Sequence, residues 1–127
     1  MPFATVYHED TQTNEATYPG VVTAGEVIEV MKAMTGLSLQ HGCYNWLADF
    51  THARTSVETF EIYQFPEKIA EITLPLGEHR FRVRRAIVGP PSAEDFGFAA
   101  TVSYNRGQSL KVFRLLDEAR EWFRNAG

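Results

Sequence analysis

Cysteine is almost absent: Cys43 stands alone in 127 residues. No intrachain disulfide can form, which suits a reducing compartment. Long apolar runs are missing too. None approaches the ~20 residues a membrane-spanning helix requires, so no transmembrane segment is expected. The opening residues Met1-Pro2-Phe3-Ala4-Thr5 carry neither a basic n-region nor an apolar h-region. No signal peptide is expected, and the expected location is cytoplasmic. An excess of positive charge is also lacking. Twelve Lys and Arg face 16 Asp and Glu, for a net charge of -4, which argues against nucleic acid or an anionic membrane as the main partner. No Gly-x-Ser-x-Gly elbow and no phosphate-cradling glycine loop occurs. The 4 histidines, His8, His41, His52 and His79, do not fall at a recurring metal-ligand spacing. His41-Gly42-Cys43 and the Asp49, His52 pair come nearest. Cys43 has apolar neighbours and no recognisable base, so it reads as a buried, inert thiol. These absences leave no catalytic residue, metal or cofactor to assign.

What is present is the composition of one globular domain over residues 1–127, without repeats, low-complexity tracts or linkers. A chain of this length can bury roughly two thirds of its unfolded surface and needs no staples. The most organised stretch runs from Asn45 to Ser56: apolar first, then a polar turn, then a helix start. Cys43 to Phe50 is aromatic and apolar without alternation, the pattern of a strand covered on both faces.

Before it, Phe3 to His8 alternates as a strand, and Glu15 to Val22 forms a second extended stretch joined to the first as a hairpin. Pro19 and Gly20 interrupt that stretch, which favours an edge position or a bulge. Thr23-Ala24-Gly25-Glu26 reads as a capping box, with Thr23 taking the amide of Glu26 and the Glu26 carboxylate reaching back. Val27, Met31 and Met34 follow at helical spacing with Val30 beside them, and Gly36 is expected to end that helix. After the central strand, Thr55 or Ser56 is expected to cap a helix marked by Val57, Phe60 and Tyr63. Pro66 is expected to kink or break that helix near Phe65, with a second helical segment from Pro66 to Ile72. Arg80 to Gly89 is expected to be a strand, with Pro90 and Pro91 stopping it. Ser92 opens another helix with Phe96, Ala99, Ala100 and Ser103 on one face, closed by Asn105-Arg106-Gly107. Leu110 to Phe113 is a short strand, and Leu116, Ala119 and Phe123 mark a final helix. Strands alternating with helices imply a largely parallel sheet.

Three pieces carry a family likeness: Gly20-Val21-Val22-Thr23-Ala24, Trp46-Leu47-Ala48-Asp49, and the run from Asp95-Phe96-Gly97 through Asn105-Arg106-Gly107 to Val112-Phe113-Arg114 and Asp117-Glu118-Ala119-Arg120-Glu121-Trp122. In this order and spacing they resemble the SpoIIAA-like proteins of the STAS superfamily. The resemblance implies an α/β fold with a mixed sheet of roughly four or five strands, an N-terminal hairpin and about four helices. It also implies a regulatory, non-enzymatic module that binds a protein partner. Better-studied STAS domains act as anti-sigma-factor antagonists, and their switch is a phosphorylatable Ser in an Asp-Ser-Ser-Gly-type motif. This chain departs from that motif: after Asp49 it reads Phe-Thr-His-Ala-Arg-Thr-Ser-Val, with no Gly. Many relatives carry Asp where this chain has Leu115, which leaves the last helix without its usual N-cap, at a cost of about 1 kcal/mol. The branch also resembles lipid-transfer domains of the CRAL-TRIO type, implying an apolar small molecule as the alternative ligand. Met31, Met34, Tyr44, Trp46, Phe60, Tyr63 and Phe65 would line its pocket.

In a wound sheet, ligands sit beyond the carboxyl ends of the strands. That edge would gather Thr23, Asp49, Thr51, His52, Arg54 and Ser92 as candidates for ligand or partner binding. Asp49 can instead simply fix the turn by accepting from loop amides. Thr51, Thr55 and Ser56 are candidate phosphoacceptors, Thr55 and Ser56 above all, since phosphate at a helix start meets favourable amides; plain capping is the alternative for Thr55 and Ser56. The alternation of Arg80, Arg82 and Arg84 places three guanidinium groups on one strand face. They would receive an acidic partner or phosphate, or, as the favoured reading, pair with Glu71, Glu78 or other acids. A homodimer is compatible with a domain of this size.

Overall fold

The computed structural model describes residues 3–18, 20–56, 59–89 and 109–125, with side chains described outside 54–63. In chain order the described elements are β1 Ala4–His8, β2 Thr13–Thr17, β3 Val21–Thr23, α1 Ala24–His41, β4 Asn45–Asp49, β5 Arg54–Ser56, α2 Thr59–Ile72, β6 Arg84–Val88, β7 Ser109–Phe113 and α3 Leu116–Asn125. A 3-10 segment, Leu74–Arg82, joins α2 to β6.

The main sheet has five strands in the order β1-β2-β4-β6-β7. Only the β1–β2 hairpin is antiparallel, and the other neighbours run parallel. The hairpin turns through Gln12, whose φ of 55 is in the left-handed region. The Gln12 side-chain amide donates to the Glu9 carbonyl at 2.7 Å and braces that turn. A second, two-stranded parallel sheet pairs β3 with β5. The result is the mixed α/β architecture that the strand and helix pattern implies.

β4 lies at the middle of the five strands, which explains its lack of alternation. Trp46 and Leu47 point to opposite faces and are both buried. On the Trp46 face lie Ala16, Val30, Met31 and Met34, the last three from α1. On the Leu47 face lie Ala86, Val88, Ala119 and Phe123, the last two from α3. Each fully buried aliphatic side chain of this kind stabilises the fold by about 1.5–3 kcal/mol. The sheet is therefore sandwiched between α1 and α3.

Thr23 caps α1, its hydroxyl accepting the Glu26 N–H at 3.3 Å. Only this half of the expected capping box is seen. Glu26 Oε2 is buried without a hydrogen-bond partner among the described residues.

Several sequence expectations are corrected. Gly36 does not end α1. The helix continues to His41, and Gly42, at φ 65, closes it by donating its N–H to the Ser38 carbonyl at 2.8 Å. A single helical glycine costs only about 1 kcal/mol, which the packing of Met34 and Ser38 outweighs. β2 is interior, not an edge, and β1 and β7 form the edges. The interruption after Tyr18 instead releases the chain from the main sheet to form β3. One helix, α2, runs through Pro66 without ending there.

The Arg80–Arg82 stretch is not strand. It belongs to the 3-10 segment, which reverses at Gly77 (φ 61, ψ -136), and β6 begins only at Arg84. On a helix of three residues per turn, positions i and i+2 do not share a face. The expected stripe therefore does not exist. The helix expected from Ser92 to Ser103 and its Asn105-Arg106-Gly107 closure lie outside the described residues.

Candidate functional site

The parallel strands bring their carboxyl ends to one edge. Asp49 of β4 sits in register with Thr17 of β2 and Val88 of β6. Backbone bonds extend the pairing past the strand ends. Tyr18 N–H donates to the Asp49 carbonyl at 3.3 Å, Phe50 N–H to Val88 O at 2.7 Å, and Gly89 N–H to Phe113 O at 3.0 Å. The edge is rigid backbone up to the point where the chain turns away.

The turn itself is built by Asp49. Its Oδ1 accepts the Thr51 N–H at 2.9 Å and also the Thr51 hydroxyl. Ala53 N–H then closes on the Phe50 carbonyl at 2.9 Å. This is the side-chain-to-backbone device that makes Asp a turn residue. Asp49 therefore does the fixing role that the sequence allows it, while Thr51 and His52 stand exposed at the tip.

Beneath them Tyr18 stacks on Phe50 with ring centroids 4.4 Å apart. Burial, reinforced by the Glu26 carboxylate, pushes the Tyr18 hydroxyl far above its ordinary range. Tyr18 stays neutral and serves as an apolar floor for the turn.

From the turn the chain enters β5, which pairs with β3 in the register Val21 with Arg54, Val22 with Thr55 and Thr23 with Ser56. This corrects the expectation that Thr55 or Ser56 caps a helix. Both lie in a strand, and α2 starts only at Thr59. The pairing has a different effect: Thr23 and Ser56 end adjacent parallel strands. α1 starts immediately after the first, and α2 shortly after the second. The structure thus gathers Thr23, Ser56 and two helix starts at one place, joined through the length of β5 to the turn of Asp49, Thr51 and His52. Arg54 opens β5 at the far end of this pairing, and the side chains of Arg54, Thr55 and Ser56 lie outside the described set. Ser92 lies outside the described residues altogether.

Two polar networks were not anticipated. Glu15, mid-strand in β2 and only 7% exposed, is gripped by Arg120 of α3. Nε reaches Oε2 at 3.0 Å and an Nη reaches Oε1 at 2.8 Å. Thr13 adds its hydroxyl at 2.8 Å and His8 lies 3.5 Å away. A carboxylate inside a covered strand was the available signal, but its partner is 105 positions distant. On the opposite face, Ser38 of α1 accepts the Trp46 indole N–H at 2.8 Å and faces the Asn14 amide at 3.4 Å. Asn14 also donates to the Cys43 carbonyl at 3.0 Å.

Cys43 is buried, and its thiol faces the Gln12 carbonyl at 3.1 Å. Burial pushes that thiol above its ordinary pKa, the opposite of an activated nucleophile. Among the described residues, no three His, Cys, Asp or Glu side chains converge as a metal site would require. No described helix is long and apolar enough to cross a membrane.

An apolar cavity lined by Tyr18, Met31, Met34, Trp46, Phe50 and Ile87 has a volume of about 70 Å³. Small-molecule sites run to roughly 300 Å³ and above, so this cavity gives the carrier reading no support.

No protein-family model and no curated protein sequence matches the chain. Solved structures do. The crystal structure of an uncharacterized protein of the DUF3478 family from Shewanella loihica PV-4, with a SpoIIAA-like fold, superposes with a TM-score of 0.54 at 19% identity. It covers 95% of this chain and 91% of that one. The anti-sigma factor antagonist SpoIIAA in its unphosphorylated form superposes with a TM-score of 0.56 at 10% identity, covering 96% and 97%. Coverage this complete, over one hairpin followed by parallel strands and helices, identifies the fold: the chain is an α/β protein with a SpoIIAA-like fold.

Proposed function

We propose that this chain is a single-domain, non-enzymatic module that binds a regulatory protein partner through the surface from Asp49 to Ser56, with Thr23 at its side. One observation carries the reading. A sheet edge projects an exposed turn, Thr51-His52, that leads into β5, and the other end of β5 adjoins the end of β3, where two helices start. Loops held by such a scaffold are the usual place for recognition. The overall likeness to an anti-sigma factor antagonist supports a regulatory protein as the partner. Thr55 and Ser56 are the proposed phosphoacceptors. A phosphate on Ser56 would sit close to the starts of α1 and α2, whose free amides favour negative charge.

The test is affinity capture from the expressing cells with the native chain, Asp49→Ala, Ser56→Glu and an Arg124→Ala control. A partner retained by the native chain and the control, and lost from Asp49→Ala or Ser56→Glu, is expected. Identical captures from all four proteins would overturn the assignment of this surface.

A further inference from the structure

At the opposite end of the sheet, where the parallel strands β4 and β6 begin, is a polar groove of about 340 Å³ lined by Gln12, Gly42, Cys43, Tyr44, Asn45, Arg82 and Arg84. The geometry points to a binding site for a small phosphate ester in this groove, held by the guanidinium groups of Arg82 and Arg84.

The two arginines line the groove from different elements. Arg84 opens β6 directly beside Asn45, which opens β4. Arg82 ends the 3-10 segment two residues earlier. Arg84 is fixed in place. One Nη donates to Asn45 Oδ1 at 3.0 Å and to the Phe123 carbonyl at 3.4 Å. Asn45 is itself oriented by donating to the Gln12 carbonyl at 3.0 Å. A guanidinium has five N–H donors. These contacts use one nitrogen of Arg84, its guanidinium carbon lies 5.7 Å from the centroids of both the Trp122 and Phe123 rings, and its other Nη and Nε have no acceptor among the described residues. Arg82 lies over the Tyr44 ring, 5.2 Å from its centroid. Tyr44 is stacked in turn on His79 at 5.5 Å.

Charge makes the arrangement informative. The chain has 16 Asp and Glu, yet among the described residues none forms an ion pair with Arg80, Arg82 or Arg84. The expected pairing with Glu71 or Glu78 does not occur. In an acidic protein, two arginines that line one groove without a carboxylate among the described residues, one of them pre-oriented, suit an anion. The carbonyl end of α1 also reaches this groove, but Gly42 already satisfies the Ser38 carbonyl there. The opposing partial charge is smaller than two full cations. Phosphate fits better than carboxylate, because its tetrahedral oxygens can serve two forks that approach from different elements. The groove also exceeds a bare phosphate, leaving room for an organic group against Tyr44. A Cβ placed on Gly42 would meet nothing within 4 Å, so the space beside Gly42 is open.

The test is a titration of the ¹⁵N-labelled full chain with phenyl phosphate, inorganic phosphate and benzoate, read by amide shifts. Phenyl phosphate is expected to saturate below roughly 10 mM, shifting residues 42–45 and 82–84 and leaving 49–56 unmoved. Inorganic phosphate should bind the same residues more weakly. Arg82→Gln is expected to weaken phenyl phosphate about tenfold or more, as loss of charge-assisted bonds implies. Arg82→Lys should restore part of it. Arg84→Gln should do the same as Arg82→Gln, and Arg82→Gln keeps the test valid if Arg84→Gln unfolds. Arg124→Gln should change nothing. Absence of saturable shifts, equal binding in Arg82→Gln, or tighter binding of benzoate than phenyl phosphate would overturn the assignment. The readout is independent of the Asp49–Ser56 surface, so either can fail without the other.

Discussion

Replacing Arg120 with Met isolates the contact that ties the last helix to the first hairpin. In the native chain Glu15 is nearly enclosed, its side chain 9% exposed, while that of Arg120 is 25% exposed. Arg120→Met keeps the aliphatic stem over the sheet and removes both guanidinium bonds. Glu15 then keeps only the Thr13 hydroxyl and His8. Stripping one partner from a buried ion pair costs about 3–5 kcal/mol, because the remaining charge is stranded. Part of this pair faces water, so the lower end applies, about 3 kcal/mol. With a urea m-value of about 1.5 kcal/mol/M, the unfolding midpoint should fall by roughly 2 M at constant m. The decisive control is the double variant Glu15→Leu with Arg120→Met. With both charges gone, no stranded ion remains, and stability should return to within about 1 kcal/mol of native. Urea titrations followed by tryptophan fluorescence measure all three proteins. A stability for Arg120→Met within about 0.5 kcal/mol of native would refute the reasoning, as would a double variant as unstable as the single one.

Other expectations follow from the same coordinates. Leu115 holds the N-cap position of α3, since its carbonyl accepts the Ala119 N–H at 3.3 Å, and its side chain is exposed. Leu115→Asp should therefore stabilise the protein by about 1 kcal/mol, seen as a melting temperature higher by a few degrees. Ser38→Ala removes the acceptor of the Trp46 indole and a neighbour of Asn14, and should cost about 1–3 kcal/mol in urea unfolding. Cys43 gives a pH dependence. Its folded pKa is raised, so the folded state holds its proton longer than the unfolded chain. The stability this represents is complete below about pH 8.5 and is lost as pH rises through the folded value. Urea midpoints should decline more steeply above that pH for the native chain than for Cys43→Ala, and equal slopes would contradict the assignment.

The parts legible in the sequence are those where a local pattern and a tertiary role coincide. The run Trp46-Leu47-Ala48 reads as a strand covered on both faces, and it is the middle strand of the sheet. Thr23 reads as a cap because its hydroxyl acts within one turn of the chain. Leu116, Ala119 and Phe123 read as one helix face, and Ala119 and Phe123 are buried against the Leu47 side of the sheet.

What was not legible depends on distance or on weak local preference. The three residues of β5 are too few to show a period, so Thr55 and Ser56 look like a cap instead of a strand. Gly36 and Gly42 are equivalent in sequence, and only the packing of α1 chooses the second as terminus. Arg80, Arg82 and Arg84 show the spacing of a strand, but Arg80 and Arg82 belong to the 3-10 segment and only Arg84 to β6. At the candidate site, the Asp49 turn followed from chemistry within three residues. The pairing of Thr23 with Ser56 is a contact between segments more than thirty positions apart in the sequence, and no local signal carries it.

The most direct measurement places a photoactivatable amino acid at position 52, at the tip of the turn, and a second at the exposed position 124 on α3, each in the full chain inside the expressing cells. The account predicts one discrete adduct of defined mass from position 52, absent from position 124 and abolished when Ser56 is replaced by Glu. No adduct from position 52, or the same adducts from both positions, would contradict it.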